Sequence, residues 1–129
     1  MEASKYILVK DLEVYKLSRE LSKLAWEIFS KFDWESKKIF GNQFVESTDS
    51  VGANIVEGYG RFHYLDKIKF YYNARASLNE ANDHWIEIIY ERNKTSKEQI
   101  EKFKTIGKQL SIKLNNFIKS TYNAKNNEK

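Results

Sequence analysis

Hydrophobic residues recur along most of the chain at alternating intervals of three and four, which is the spacing of one face of an α-helix. This pattern predicts four helices, over residues 11–32, about 35–57, about 65–92 and about 97–122. Each helix would span about 33–42 Å at about 1.5 Å per residue. Similar lengths and short connections favour an all-α, antiparallel up-down-up-down four-helix bundle. Residues 1–10 would form an N-terminal extension, and residues 123–129 a polar tail that frays.

Three local features refine these helices. Helix propensity is weakest at residues 47–50 and at Gly52, which predicts a bend in the second helix. Ser96 and Gln99 have the spacing of a capping box at the start of the fourth helix, and Gly107 would let a neighbouring helix approach closely. The apolar stripe of the third helix comprises Tyr71, Ala74, Leu78, Ala81, Trp85 and Ile88.

The first and third helices carry more apolar surface than a lone bundle needs. An apolar arc of somewhat more than 100° suffices to face a core, whereas the apolar residues of the third helix cover roughly 200°, namely Trp85, Ile86, Ile88, Ile89 and Tyr90. Tyr15, Trp26 and Phe29 widen the first helix in the same way. This excess predicts a second buried surface, which we interpret as a self-association interface, with an open binding groove as the weaker alternative.

Composition narrows the class of protein. The chain has 129 residues, no Cys, no Pro and five Gly, with 15% aromatic residues. The lack of Cys excludes disulfides and thiolate chemistry, and the scarcity of chain breakers argues against an all-β fold. No apolar run has the roughly 20 residues of a membrane helix, and the first residues lack a signal-peptide pattern. We therefore expect one cytoplasmic domain without membrane contact.

Candidate catalytic and metal-binding groups are few. The two histidines are His63, in a predicted turn, and His84, on the third helix. Glu80 and His84 are four residues apart, and no second helix carries a histidine, so the two Glu-x-x-His motifs of a di-iron bundle are missing. Ser50, His63 and Asp49 lack the strained turn and oxyanion pocket of a nucleophilic site. We expect no enzymatic activity, no metal and no cofactor.

Positive charge is concentrated at the end of the chain. The formal net charge is +4, and residues 94–129 hold nine basic and three acidic groups, whereas residues 1–33 hold six of each. Lys97, Lys104, Lys108 and Lys119, called here the lysine row, fall within an arc of about 60° on the fourth helix. They are candidates for binding nucleic-acid phosphates, and the alternative is a merely solvated helix face. No aromatic residues interleave the row, so binding would not be sequence-specific.

Two segments carry a family resemblance. Residues 54–61 read NIVEGYGR and residues 74–80 read ARASLNE, with matching positions at residues 11–15, Gln43 and residues 50–51. Over about residues 11–92 the chain resembles the four helix bundle protein family, also called the 23S ribosomal RNA intervening-sequence proteins. The fourth helix matches in length and periodicity.

The resemblance implies a bundle that assembles into a ring-shaped homopentamer with a central channel. A relative of that family, the accessory variability determinant of diversity-generating retroelements, works with a reverse transcriptase and binds nucleic acid. Most members have no defined activity. The chain has Val45 and Glu46 where many relatives carry paired arginines, which weakens the nucleic-acid inference, and Gly52 where many have Pro.

The residues that match the family motif are Asn54, Glu57, Gly58, Gly60, Arg61, Arg75, Ser77 and Glu80. We interpret Gly58 and Gly60 as turn residues that can adopt positive φ, with phosphate binding as the alternative. The polar members would pair with one another or cap backbone groups, tying the second helix to the third and fixing subunit register. Alternatively, they would line an inter-subunit or channel-facing cluster.

These observations leave three functional hypotheses. The first is a non-enzymatic oligomeric scaffold that engages RNA, DNA or a nucleic-acid-processing protein such as a reverse transcriptase. The second is a protein-binding adaptor whose lysines only keep it soluble. The third is a small-molecule binder that uses the excess aromatic residues.

Overall fold

The computed structural model describes residues 6–127, in which four helices and no strand are present. Residues 1–5 of the predicted extension and residues 128–129 of the predicted tail lie outside this range. After a 3₁₀ turn at Val9–Asp11, the helices are α1 (Glu13–Ser30), α2 (residues 34–59), α3 (residues 64–91) and α4 (Lys97–Asn126). The four predicted helices are therefore present in the predicted order.

The helices run antiparallel to their neighbours. Arg75 of α3 reaches Asn115 of α4, and Glu87, further along α3, reaches Lys104, which comes earlier in α4. The opposite order of the two pairs sets opposite directions. α1 packs against α2 and α4, and α3 packs against the same two helices. This is the cyclic arrangement of an up-down-up-down bundle.

The predicted tail begins inside a helix. α4 continues through Asn126, beyond the expected end at Tyr122. Tyr122 is half-buried against the core, and its hydroxyl lies 3.5 Å from the hydroxyl of Tyr72 on α3. Residues 123–126, which the sequence assigned to a polar tail, therefore belong to α4 in the structure.

Both α2 and α3 contain a π-helical turn, which the sequence did not reveal. In α2 the turn is Lys37–Gly41, between Trp34–Ser36 and Asn42–Tyr59, and in α3 it is Glu80–Trp85, between Tyr64–Asn79 and Ile86–Glu91. A π turn inserts one residue into the helical repeat and moves every later side chain around the axis.

The π turn of α3 corrects the predicted core. Tyr71, Ala74, Leu78 and Ala81 are buried as expected, but beyond the turn the buried positions are Ile86 and Ile89. The predicted Trp85 and Ile88 are only half-buried. The inserted residue therefore places part of the apparently excess apolar surface in the core.

Residues 47–52, where a bend without a break was predicted, lie within the continuous α-helix Asn42–Tyr59. The buried hydroxyls of Ser47 and Thr48 donate to the Phe44 carbonyl, at 3.1 and 2.8 Å. Their polar groups are thereby satisfied inside the helix. The irregularity of α2 lies earlier, at its π turn.

The two glycines of the α2–α3 corner have ordinary backbone angles, contrary to our expectation. Gly60 has φ −80°, and the only positive φ among residues 6–127 belongs to Asn93, at 59°. Gly58 lies within α2, where an added Cβ would stand 2.7 Å from Cε1 of Tyr71 and 3.0 Å from the Lys67 carbonyl. Close approach of α3, rather than a left-handed turn, requires glycine at position 58.

Contacts at both ends of the bundle join the α1–α2 half to the α3–α4 half. At one end, the Asp33 carboxylate accepts hydrogen bonds from the backbone NH and hydroxyl of Ser36, and it lies 3.0 Å from Nζ of Lys94 in the α3–α4 connection. These bonds hold the pKa of Asp33 well below its ordinary value. At the other end, the Tyr59 hydroxyl donates to the Ile7 carbonyl, and the Tyr59 carbonyl accepts from Lys67.

Candidate functional site

The α2 part of the family motif holds the α2–α3 corner. Glu57 and Arg61 form an ion pair of 2.7 Å between exposed side chains, and the Arg61 guanidinium lies 4.7 Å from the ring centroid of Phe70 on α3. The side chain of Asn54 donates to the Ser50 carbonyl of its own helix. These residues therefore fold back on α2 and link its end to α3.

The α3 part of the motif is directed elsewhere. Arg75 donates to the side-chain oxygen of Asn115 at 3.1 Å, and its guanidinium lies 4.6 Å from the Tyr72 ring. Glu80 accepts a hydrogen bond from the indole NH of Trp85, while Ser77 is half-buried. The structure thus does not bring the polar motif residues into one cluster within a protomer, and their role between subunits stays a prediction.

Lys104 and Lys108 of the lysine row lie beside Glu87 and Tyr90 at the boundary between α3 and α4, called here the α3–α4 seam. Lys104 contacts the Glu87 carboxylate at 2.5 Å and the Asn82 carbonyl at 2.8 Å, so its charge is paired across the seam. The other members, Lys97, Lys108 and Lys119, are exposed and form no ion pair within residues 6–127. Three of the four predicted candidates thus remain open to an external anion.

The seam is tight at Gly107, as the sequence predicted. A Cβ added to this buried glycine would stand 2.5 Å from Oδ1 of Asn82. That oxygen is buried and accepts no hydrogen bond from any described residue. Nothing in the sequence paired these two positions, which are distant along the chain.

A groove of about 900 Å³ opens between α1 and α2, which we call the α1–α2 groove. Its cationic side chains are Lys10, Lys16, Arg19 and Lys23. Its remaining lining residues are Tyr15, Glu20, Ser22, Trp26, Asp49, Gly52, Ala53 and Val56. Four cations therefore face two carboxylates and two aromatic rings in one concave surface.

Local interactions shape this groove. The Ser18 hydroxyl donates to the Tyr15 carbonyl and packs against Gly52, where an added Cβ would be 2.9 Å from it. Arg19 donates to the Tyr15 hydroxyl at 2.7 Å. Trp26 stacks on Phe29, with ring centroids 5.2 Å apart, and stays 57% exposed.

Sequence reasoning missed the cationic character of this surface, although a signal was present. Lys16, Arg19 and Lys23 are spaced at three and four residues and so share one face of α1. Counting charge over residues 1–33 concealed them, because six acidic groups cancel six basic ones. Charge projected onto helix faces would have separated the groove from the acidic side chains elsewhere on this segment.

Large apolar side chains are exposed at both ends of the bundle. Near the α2–α3 corner, Phe62 is 88% and Leu65 60% exposed, and Tyr6 lies beside Tyr59 at the same end. At the opposite end, Trp34 is 75% and Ile39 61% exposed. Exposed apolar surface is therefore present at the ends and, at Trp26, in the α1–α2 groove, but on the third helix, where the prediction also placed it, only Tyr90 of residues 85–90 is an exposed apolar side chain.

Residues 6–127 contain neither a metal-binding cluster nor a helix that could span a membrane. No group of three or more His, Cys, Asp or Glu side chains in this range could hold a metal ion. His63 packs edge-on against Phe62, and His84 against Trp85. None of the described helices combines the length and apolar character needed to cross a bilayer.

The fold and the corner motif define the class of this molecule as an antiparallel four-helix bundle with polar groups at its α2–α3 corner. The family model of the 23S rRNA-intervening sequence protein matches residues 10–116, and the chain belongs to this family. This confirms the resemblance seen in the sequence.

A crystal structure with the same fold is that of a protein of unknown function from the S23 ribosomal protein family of Bacteroides thetaiotaomicron. The two chains superpose with a TM-score of 0.75 and 24% identity, over 82% of this chain and 95% of the other. Among curated proteins, none matches this chain.

Proposed function

We propose that this protein is a non-enzymatic, cytoplasmic scaffold that assembles into a homo-oligomer, a ring-shaped pentamer by family resemblance, and engages nucleic acid through phosphate contacts. The observation that carries nucleic-acid binding is the row of exposed, unpaired lysines Lys97, Lys108 and Lys119 on α4. Eleven residues separate each from the next, which is about 16.5 Å along the helix.

Assembly would multiply this weak surface. Three lysines on one protomer contact few phosphates, but a ring repeats them with every subunit, and each neutralised phosphate releases counterions. The exposed apolar side chains at the two ends, such as Phe62 and Trp34, support assembly, because a contact between copies would remove them from water. No aromatic side chain lies among the three lysines on the arc they share, so the contact would not read sequence.

The test has two measurements. Light scattering at micromolar concentration should give an oligomer, and a monomer would contradict the proposal. Fluorescence anisotropy with a labelled 20-base-pair duplex should show binding at low salt that weakens as salt rises.

A matched pair of variants locates the duplex-binding surface. Changing Lys97, Lys108 and Lys119 together to Gln should abolish duplex binding at moderate salt and preserve the oligomer. The control changes the likewise exposed Lys31, Lys69 and Lys102 to Gln, with the same loss of charge elsewhere on the surface. Equal weakening by both triple variants would show that only net charge matters.

A second candidate is the protein-binding adaptor. It is favoured by the pairing of Lys104 with Glu87, which removes one cation from the row, and by Val45 and Glu46, which stand where many relatives have arginines. A partner such as a reverse transcriptase would then remain bound after nuclease treatment. Failure of the duplex titration together with a nuclease-resistant complex would favour this candidate.

A further inference from the structure

We propose that the α1–α2 groove is a second nucleic-acid site, which takes a single-stranded segment with exposed bases. This inference rests on the proposed function for the class of ligand, but it concerns a different surface from the lysine row. Three properties of the groove support it: unpaired cations, an accessible aromatic ring and a concave shape.

The charge of the groove suits a chain of phosphates. None of Lys10, Lys16, Arg19 and Lys23 forms an ion pair with a carboxylate in the part of the chain that the structure describes. Glu20 and Asp49 also line the groove, so cations exceed anions there by two. Lys16 and Lys23 lie seven residues apart, about 10.5 Å along α1, with Arg19 between them.

The aromatic side chains of the groove supply surfaces on which bases can stack. Trp26 rests on Phe29 and is 57% exposed within the groove, so a base has access to a ring that is already supported. Arg19 extends over Tyr15, with its guanidinium 5.6 Å from the ring centroid. Cations along a groove with stacking platforms are the usual means of binding single strands without regard to sequence.

Stacking on Trp26 discriminates against duplexes. The groove of about 900 Å³ is open to solvent, and Trp26 can stack only on a base that is unstacked from its neighbours. In a duplex the bases are stacked and paired, so their faces cannot reach this ring. The lysine row, which contacts phosphates alone, makes no such distinction.

The decisive experiment compares Trp26→Ala with Trp26→Phe in the full chain. The probes are a labelled 12-nucleotide strand as RNA and as DNA, an abasic strand of equal length, and a 12-base-pair duplex. Trp26→Ala should weaken binding of both base-containing strands by about 5-fold to 150-fold, the range found when a stacking ring is removed. Trp26→Phe should keep near-parental binding, since a ring remains. Binding of the abasic strand and of the duplex should be unchanged by Trp26→Ala.

Charge is tested separately with Lys16→Gln/Lys23→Gln against the control Lys31→Gln/Lys69→Gln, in which equally exposed lysines outside the groove are changed. The groove variant should reduce the slope of log affinity against log salt for the single strand by about 0.7 per lysine. The control should leave that slope unchanged.

The outcomes separate the two proposals. If the parent binds no nucleic acid, both fail. If the parent binds single strands and Trp26→Ala binds them equally well, the groove proposal is overturned while the lysine-row proposal stands. If Trp26→Ala or the groove lysine variant changes the size of the oligomer, the groove is a contact between copies of the chain, which also overturns it.

Discussion

The α1–α2 groove and the α3–α4 seam are both surfaces between neighbouring helices with cations and aromatic rings, yet their polar groups are used differently. At the seam, Lys104 forms an ion pair with Glu87, and Arg75 donates a hydrogen bond to Asn115. The hydroxyls of Tyr72 and Tyr122 lie 3.5 Å apart. In the groove, the lysines and Arg19 form no ion pair with a carboxylate among the described residues. Arg19 instead donates a hydrogen bond to the Tyr15 hydroxyl.

The difference shows that the position of a cation in the sequence does not decide whether it can bind a ligand. Lys104 and Lys108 lie one turn apart on the same helix, but only Lys104 stands opposite a carboxylate of α3. A lysine that bridges two helices contributes to stability, whereas an unpaired one remains available to an external anion. The comparison can be sharpened by variants that affect one surface at a time.

The largest expected effect tests the α3 side of the seam. Ile86→Ala should lower the free energy of unfolding by about 2–5 kcal/mol, because Ile86 is fully buried beyond the π turn. Trp85→Ala should cost less, since Trp85 is half-buried and its indole bonds the exposed Glu80. Urea unfolding at one fixed protein concentration measures both. A larger loss from Trp85→Ala would indicate that Trp85, as the regular periodicity predicted, occupies the core position instead of Ile86.

The next effect tests how tightly the seam is packed. Gly107→Ala should destabilise by about 1–3 kcal/mol, because the added methyl group would overlap the side chain of Asn82. Adding Asn82→Ala to that variant should recover part of the loss, since the obstruction is removed.

Gly60→Ala serves as the control for that pair of variants. Its φ is −80°, and an added Cβ would lie 3.6 Å from the Val56 carbonyl oxygen, which is ordinary van der Waals contact. Unfolding of this variant should be nearly unchanged. Additive losses in the Asn82 and Gly107 double variant would contradict the close approach seen at the seam.

A smaller effect separates paired from unpaired lysines. Lys104→Gln should lower the free energy of unfolding by up to about 1 kcal/mol. It should leave the salt dependence of duplex binding unchanged, because the charge of Lys104 is already paired with Glu87. Lys108→Gln should do the reverse, with unaltered unfolding and a salt slope smaller by about 0.9. If Lys104→Gln reduced the slope as much as Lys108→Gln, pairing at the seam would not matter for binding.

The smallest effect concerns the contact between Asp33 and Lys94, which joins the α1–α2 half of the bundle to the α3–α4 half. Bonds from Ser36 and Lys94 hold the pKa of Asp33 below its ordinary value of 3.8, so the folded state favours the carboxylate. This contribution is fully present above that value and is lost as pH falls below about 4. The urea midpoint of the parent should fall more between pH 7 and pH 3 than that of Asp33→Asn. Equal falls would show that Asp33 contributes nothing to this dependence.

Several local features could be predicted from the sequence. The Ser96 hydroxyl accepts from the Gln99 backbone NH, as a capping box requires. The second bond of a capping box, from the N-cap backbone NH to the Gln99 side chain, is absent among the described residues. The Gln99 side-chain oxygen instead accepts from the Thr95 hydroxyl. Gly107 lies at a close helix contact as expected. Such features depend on neighbours within a few residues, which the sequence displays directly.

The sequence by itself determined the number and order of the helices and the family, because amphipathic periodicity and the NIVEGYGR segment are local patterns. Only the tertiary structure decided that Ile86 replaces Trp85 in the core, that Lys104 is neutralised by Glu87 and that Lys16, Lys23 and Trp26 face one groove. The π turn of α3 shifts the apolar spacing by one residue, but Trp85, Ile86, Ile88 and Ile89 are all apolar, so the sequence fits both registers. Contacts between helices depend on how their surfaces fit together, which residues far apart in the chain decide jointly.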